Sequence, residues 1–231
     1  FFSMEDGHDE KTMRRVAAAY MGTTTYLDQQ IGAVLGMLDA LGLSDSTRVV
    51  YSSDHGECLG ARGLFGKFTM YDEAAAVPLI AAGPDVPEGH VVETPVSLVD
   101  IFPTALECVG ADAPEAELPG RSLWLTANED NAERTVLSEY HALGTEHACF
   151  MLRRRRYKYI YYVGAPSQLF DLREDPDELD DLSTSFAHRT LVADFERELR
   201  SMLDPEAIDA RARADQRAMV ERCGGEDAVR A

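Results

Sequence analysis

The chain has 231 residues, 45% of them hydrophobic, enough to bury a core in one large domain or two small ones. Forty-one acids against 22 bases leave a formal charge of −19, which repels nucleic-acid phosphates and anionic membrane surfaces and argues against both as partners. No run of about 18 apolar residues appears, and the four cysteines (Cys58, Cys108, Cys149 and Cys223) form no CxxC pair, so reduced thiols in a cytoplasmic setting are expected.

The opening FFSMEDGHDEKTMRR lacks the basic start, apolar stretch and small-residue cleavage site of a signal peptide. It reads as an excised start, which leaves export of a longer parent open. From Glu10 to Leu43, Val16, Ala19, Tyr20, Leu27, Ile31, Val34, Leu35 and Leu38 recur at three and four, predicting a long amphipathic covering helix. Next, Thr47 to Ser53 is a β-branched run with apolar residues on both faces, the pattern of a buried parallel strand. A second run, Val77 to Ala82, closes with Gly83-Pro84, and a helix over Leu98–Val109 follows, capped on exit by Gly110. This order predicts a three-layer α/β domain over residues 1–119, with a Pro/Glu/Ala linker at its end.

Residues 120–231 have a different texture. Short strands are expected at 135–140, 148–153, 157–163 and 168–172, spaced closely enough for an antiparallel sheet. A helix over 186–203 should pack on that sheet through Leu191, Phe195, Leu199 and Met202. The charged, helix-prone tail from Pro205 is a candidate arm for a homo-oligomer.

The densest chemical signal is Ser52-Ser53-Asp54-His55-Gly56-Glu57 at the carboxyl end of the first strand, where open α/β sheets place their ligand sites. Past a strand end the alternation of side chains relaxes, so Asp54 and His55 can turn toward one divalent cation, as oxygen and nitrogen ligands. Thirteen residues after Asp54, Lys67 lies in a glycine-punctuated loop, from which its charge could face that cation and an anionic ester oxygen. His141, after the strand ending at Tyr140, is a candidate substrate contact. Tyr71 and Asp72 are read either as shaping a leaving-group pocket or as helix-start packing. Arg153 to Arg156 reads as a solvated hairpin turn.

Together TRVVYSSDHGECLGARGLFGKFTMYDEAAAVPLIAAGP, ETPVSLVDIFPTALECVG and QLFDLREDPDELDDL resemble the type I sulfatases of the alkaline phosphatase superfamily over nearly the whole chain. The resemblance implies part of that superfamily's three-layer mixed sheet, followed by a small antiparallel sheet with a packed helix. It also implies hydrolysis of a small-molecule sulfate ester, a formylglycine nucleophile in a C-x-P-S-R-like motif, and a divalent cation, calcium first. Asp54 and His55 match the family's second metal-binding pair, and Lys67 matches its anion-binding lysine. Many sulfatases carry Asp-Asn where this chain has Asp-His, which looks more like the choline-sulfatase and phosphonate monoester hydrolase branch and makes manganese possible. Cys58 and Cys149 each precede an arginine by four residues but lack the proline, so both are read as ordinary cysteines and the nucleophile is expected outside these residues. A phosphonate or phosphodiester hydrolase, a phosphomutase-like metalloenzyme (disfavoured by LFDLREDPDE) and a non-catalytic interaction module remain the rival readings.

Overall fold

The computed structural model describes residues 9–111, 118–129, 133–141 and 145–230. It divides into two compact units, Phe1–Val92 with Phe102–Leu118, and Glu93–Ile101 with Pro119–Ala231. Most of the linker expected before Pro119 lies outside the described residues.

The first unit opens with helix α1 (Glu10–Ala40), started by the Asp9 carboxylate, which accepts from the Thr12 amide at 2.7 Å. It ends a turn earlier than expected, because Gly42 adopts φ 66° and lets the Leu43 amide bond back to the Leu38 carbonyl at 3.0 Å. The predicted apolar stripe is present, but α1 buries none of its residues, and Val16, Tyr20, Leu27, Val34 and Leu35 stay exposed among the described residues.

Strand β1 (Val49–Ser52) is half-buried and pairs antiparallel with β2 (Leu79–Ala82), from Val49 opposite Ala82 to Ser52 opposite Leu79. The expectation of a buried parallel strand is therefore corrected. A short apolar run records burial but not direction; direction follows from how the chain returns, here through a loop and the short helix α2 (Asp72–Ala75). A turn of 3₁₀-helix at Leu98–Asp100 leads into α3 (Ile101–Cys108), which Gly110 terminates at φ 65° while the Ala111 amide reaches the Leu106 carbonyl at 3.0 Å.

In the second unit α4 (Leu123–Glu129) was not foreseen; it is too short for its periodicity to stand out. Strands β3 (Thr135–Tyr140), β4 (Cys149–Arg154), β5 (Tyr157–Tyr162) and β6 (Gln168–Asp171) form an antiparallel meander in sequence order, as expected. Helix α5 (Arg189–Met202) packs on it with Phe195 and Leu199 fully buried against Phe150, Leu152, Tyr159 and Leu169. Tyr159 and Phe195 stack at 5.7 Å. Leu191 joins this core, whereas Met202, expected to join it, is 46% exposed, and Leu203 takes the inward position as the chain leaves the helix.

Of the four arginines read as a solvated hairpin turn, Arg153 and Arg154 end β4 and only Arg155 and Arg156 form the turn; Arg155 alone is exposed, while Arg154 binds Glu198 at 2.6 Å and Arg156 binds Asp171 at 3.0 Å. Helices α6 (Pro205–Arg222) and α7 (Glu226–Arg230) complete the chain.

Candidate active site

Ser53 to Tyr71 leave the end of β1 as a loop tied at its base. The Gly56 amide bonds to the Ala74 carbonyl at 2.9 Å, and the Cys58 amide to the Gly66 carbonyl at 2.8 Å. The Glu57 carboxylate clasps the loop from inside, accepting from the Leu59 and Gly66 amides at 3.1 and 2.6 Å. Arg62 lies 4.2 Å over the Tyr71 ring and pairs with Glu73, so Tyr71 is helix-start packing that also holds this loop.

Glycine is required at 56 by close approach: an added Cβ would sit 2.0 Å from the Glu73 carbonyl oxygen. The sequence reading missed Glu57 and Arg62 as loop anchors. The available signal was the loop itself, because a run of glycines exposes amides that a neighbouring carboxylate can satisfy.

At the mouth of this loop the Asp54 side chain is 84% exposed, and its Oδ2 lies 3.4 Å from His55 Nε2. His55 Nδ1 is 2.9 Å from the Gly56 carbonyl oxygen. A carbonyl only accepts, so in the neutral ring Nδ1 carries the proton and Nε2 presents a lone pair toward the carboxylate. Two electron-pair donors so close are satisfied by a shared cation, and an imidazole held through its other nitrogen is the usual preparation of a metal ligand.

Desolvation is the largest single influence on the Asp54 carboxyl and pushes it upward, but the His55 amide, the His55 ring and the Lys67 charge together hold it below its ordinary value. Lys67 itself is exposed. Asp54 and His55 are thus adjacent in space as well as in sequence, and Lys67, in the loop that follows, adds a small lowering of the Asp54 carboxyl. Among the described residues no three His, Cys, Asp or Glu side chains converge on one point, so this chain offers a cation a pair of donors and not a cage.

His141 belongs to the second unit. Its ring meets Phe150 edge-on at 5.1 Å and its Nε2 lies 3.3 Å from Glu139 Oε2, yet without hydrogen-bond alignment at either ring nitrogen. Cys58 and Cys149 are both buried and unpaired. Burial raises the Cys58 thiol, with Glu73 and Glu57 adding to it, and pushes Cys149 up to about 11, the state of inert thiols.

Two family models match the chain. The sulfatase model covers residues 2–111, and the model described as N-sulphoglucosamine sulphohydrolase, C-terminal, covers residues 60–204. The chain belongs to the sulfatase family. It carries that family's C-terminal portion.

This sulfatase chain is 34% identical over 213 residues to arylsulfatase K of Bos taurus, spanning 87% of its own length and 39% of the relative's. It is 35% identical over 214 residues to choline-sulfatase of Rhizobium meliloti (strain 1021), spanning 90% of its own length and 41% of that protein. Among solved structures it resembles the phosphonate monoester hydrolase of Silicibacter pomeroyi with a TM-score of 0.73 and 31% identity, over 84% of this chain and 42% of that one. The sulfatase chain therefore spans less than half the length of these relatives.

Proposed function

We propose that the protein containing this chain hydrolyses sulfate esters at a divalent-cation site, calcium or alternatively manganese, to which Asp54 and His55 contribute. The observation that carries this reading is the Asp54–His55 pair just past the end of β1, with Asp54 Oδ2 3.4 Å from His55 Nε2 and Nδ1 held 2.9 Å from the Gly56 carbonyl oxygen. When bound, the cation supplies Lewis-acid stabilisation of the sulfuryl oxygens.

Asp54 is held below its ordinary value, and the Gly56 carbonyl beside His55 Nδ1 orients the ring with Nε2 toward Asp54, an arrangement suited to holding that ion. Lys67 meets negative charge as it grows on the ester or sulfuryl oxygen. His141 is a further candidate for contact with substrate. No cysteine or serine of this chain stands in a C-x-P-S-R-like motif, so the nucleophile, a formylglycine, comes from outside these residues.

A second reading, phosphonate ester hydrolysis, is favoured by the Asp-His pair and by the likeness to a phosphonate monoester hydrolase. Parallel assays of the full-length protein with nitrophenyl sulfate and a nitrophenyl phosphonate ester, in calcium and in manganese, test both. At least tenfold higher kcat/KM for the sulfate is expected. The reverse ratio would establish the second reading, and turnover of neither ester would leave a non-catalytic role.

A further inference from the structure

Glu57 stands two residues beyond His55 and sends its carboxylate across the loop that leads to Lys67. Its Oε1 accepts from the Leu59 amide at 3.1 Å and from the Gly66 amide at 2.6 Å. Gly66 is held from its other side as well, because its carbonyl accepts from the Cys58 amide at 2.8 Å. The residue directly before Lys67 is therefore fixed through both of its backbone polar groups, and both bonds come from the segment that follows the Asp54–His55 pair. That segment is itself anchored by the Gly56 amide, which bonds to the Ala74 carbonyl at 2.9 Å.

The remaining ties of the loop lie farther from Lys67. The Gly60 amide meets the Leu64 carbonyl at 2.8 Å, and Arg62 pairs with Glu73, so these bonds shape the middle of the loop. Lys67 is exposed and carries its charge on a flexible stem, and the placement of that charge follows the backbone that presents it. A carboxylate that accepts from an amide makes a charge-assisted bond, roughly twice as strong as a neutral one.

We infer that Glu57 is a positioning residue, whose clamp on the Gly66 amide fixes the backbone of Lys67 relative to Asp54 and His55. The inference rests on the proposed role of Lys67 toward the ester or sulfuryl oxygen. As an acceptor of backbone amides, Glu57 acts through Lys67 and not on the substrate. A charge set for one that grows in the transition state loses its effect when displaced, so release of the clamp falls on turnover more than on ground-state binding.

The test is a double-mutant cycle between Glu57 and Lys67 in the full-length protein, with nitrophenyl sulfate as substrate. Glu57→Ala is expected to lower kcat about tenfold or more while KM stays within about threefold. In the Lys67→Ala background the same substitution should change kcat by less than about twofold, because no lysine is left to position. Glu57→Gln keeps an acceptor at the same reach without the charge, and its kcat should lie about threefold below wild type. The cycle repeated with Glu57→Gln reads the same coupling should Glu57→Ala fail to fold. Equal losses in the two backgrounds overturn the inference, since a residue that only holds the fold or the cation pair acts whether or not Lys67 is present. A kcat unchanged by Glu57→Ala overturns it too. If Lys67→Ala itself leaves kcat intact, the inference falls with the role of Lys67, while turnover by the wild type keeps the sulfatase reading. Wild-type protein that turns over no sulfate ester removes both.

Discussion

Asp100 and Arg134 meet through two parallel hydrogen bonds, Nη2 to Oδ1 at 2.7 Å and Nη1 to Oδ2 at 2.9 Å, with the Asp100 side chain fully buried. The Arg121 and Ser97 amides, each at 2.8 Å, satisfy the same carboxylate. Desolvation pushes this carboxyl upward most strongly, but Arg134 and the two amides prevail and keep it ionised. One carboxylate thus ties the segment before α3, the approach to α4 and the start of β3 into the second unit.

Replacing Asp100 by Ala leaves the half-buried Arg134 with the Pro95 carbonyl but without its carboxylate and removes the acceptor of the Ser97 and Arg121 amides, and should cost about 3 kcal/mol, the lower end of the range for breaking a buried ion pair from one side. Denaturant titration of wild type and variant checks this. A loss below about 1 kcal/mol would mean that the pair is only incidental to folding.

Lys67→Ala in the full-length protein should lower kcat by about 10²- to 10³-fold, with KM changed a few-fold and melting unchanged, because an exposed loop lysine adds little to folding. Steady-state kinetics beside a melting curve separate these effects. Intact kcat would detach the loop from the chemistry.

Glycine substitutions should split by position. Gly56→Ala forces a Cβ to 2.0 Å from the Glu73 carbonyl oxygen, so the backbone must move, and a destabilisation of about 1–3 kcal/mol is expected. Gly36→Ala meets nothing within 4 Å on helix α1 and should instead stabilise by about 0.5–1 kcal/mol. Comparable unfolding free energies for the two variants would contradict the close approach at Gly56.

The corner between α5 and α6 carries a pH dependence. Hydrogen bonds from Arg200 and then from the Tyr161 hydroxyl lower the Glu206 carboxyl from 4.5 to about 2. A depressed carboxyl stabilises the fold fully above its unfolded value and loses that contribution as pH falls toward its folded value, so the loss should run from about pH 4.5 down to about 2. Half-exposed, it contributes only modestly after solvent screening. Carbon-detected NMR titration of Glu206 should show the low midpoint in wild type and a return toward the ordinary value in Arg200→Ala; identical midpoints would refute the assignment.

The strands, α5 and the Asp54–His55 pair were legible in the sequence because each rests on local signals: a period of two or of three and four, a glycine exit, a dense polar motif after an apolar run. Family membership followed from the order and spacing of several such pieces. Whatever depended on a distant partner was not legible. The antiparallel return of β2 onto β1, the bidentate grip of Arg134 on Asp100, the Glu57 clasp inside the loop and the reach of Arg213 and Gln216 to the Glu146 and His141 carbonyls each join residues whose identity says nothing about their neighbour. An arginine or glutamate in a chain this charged is by default a solvated surface group, and only the folded backbone, by leaving particular carbonyls, amides and carboxylates to be satisfied, decides which of them are not.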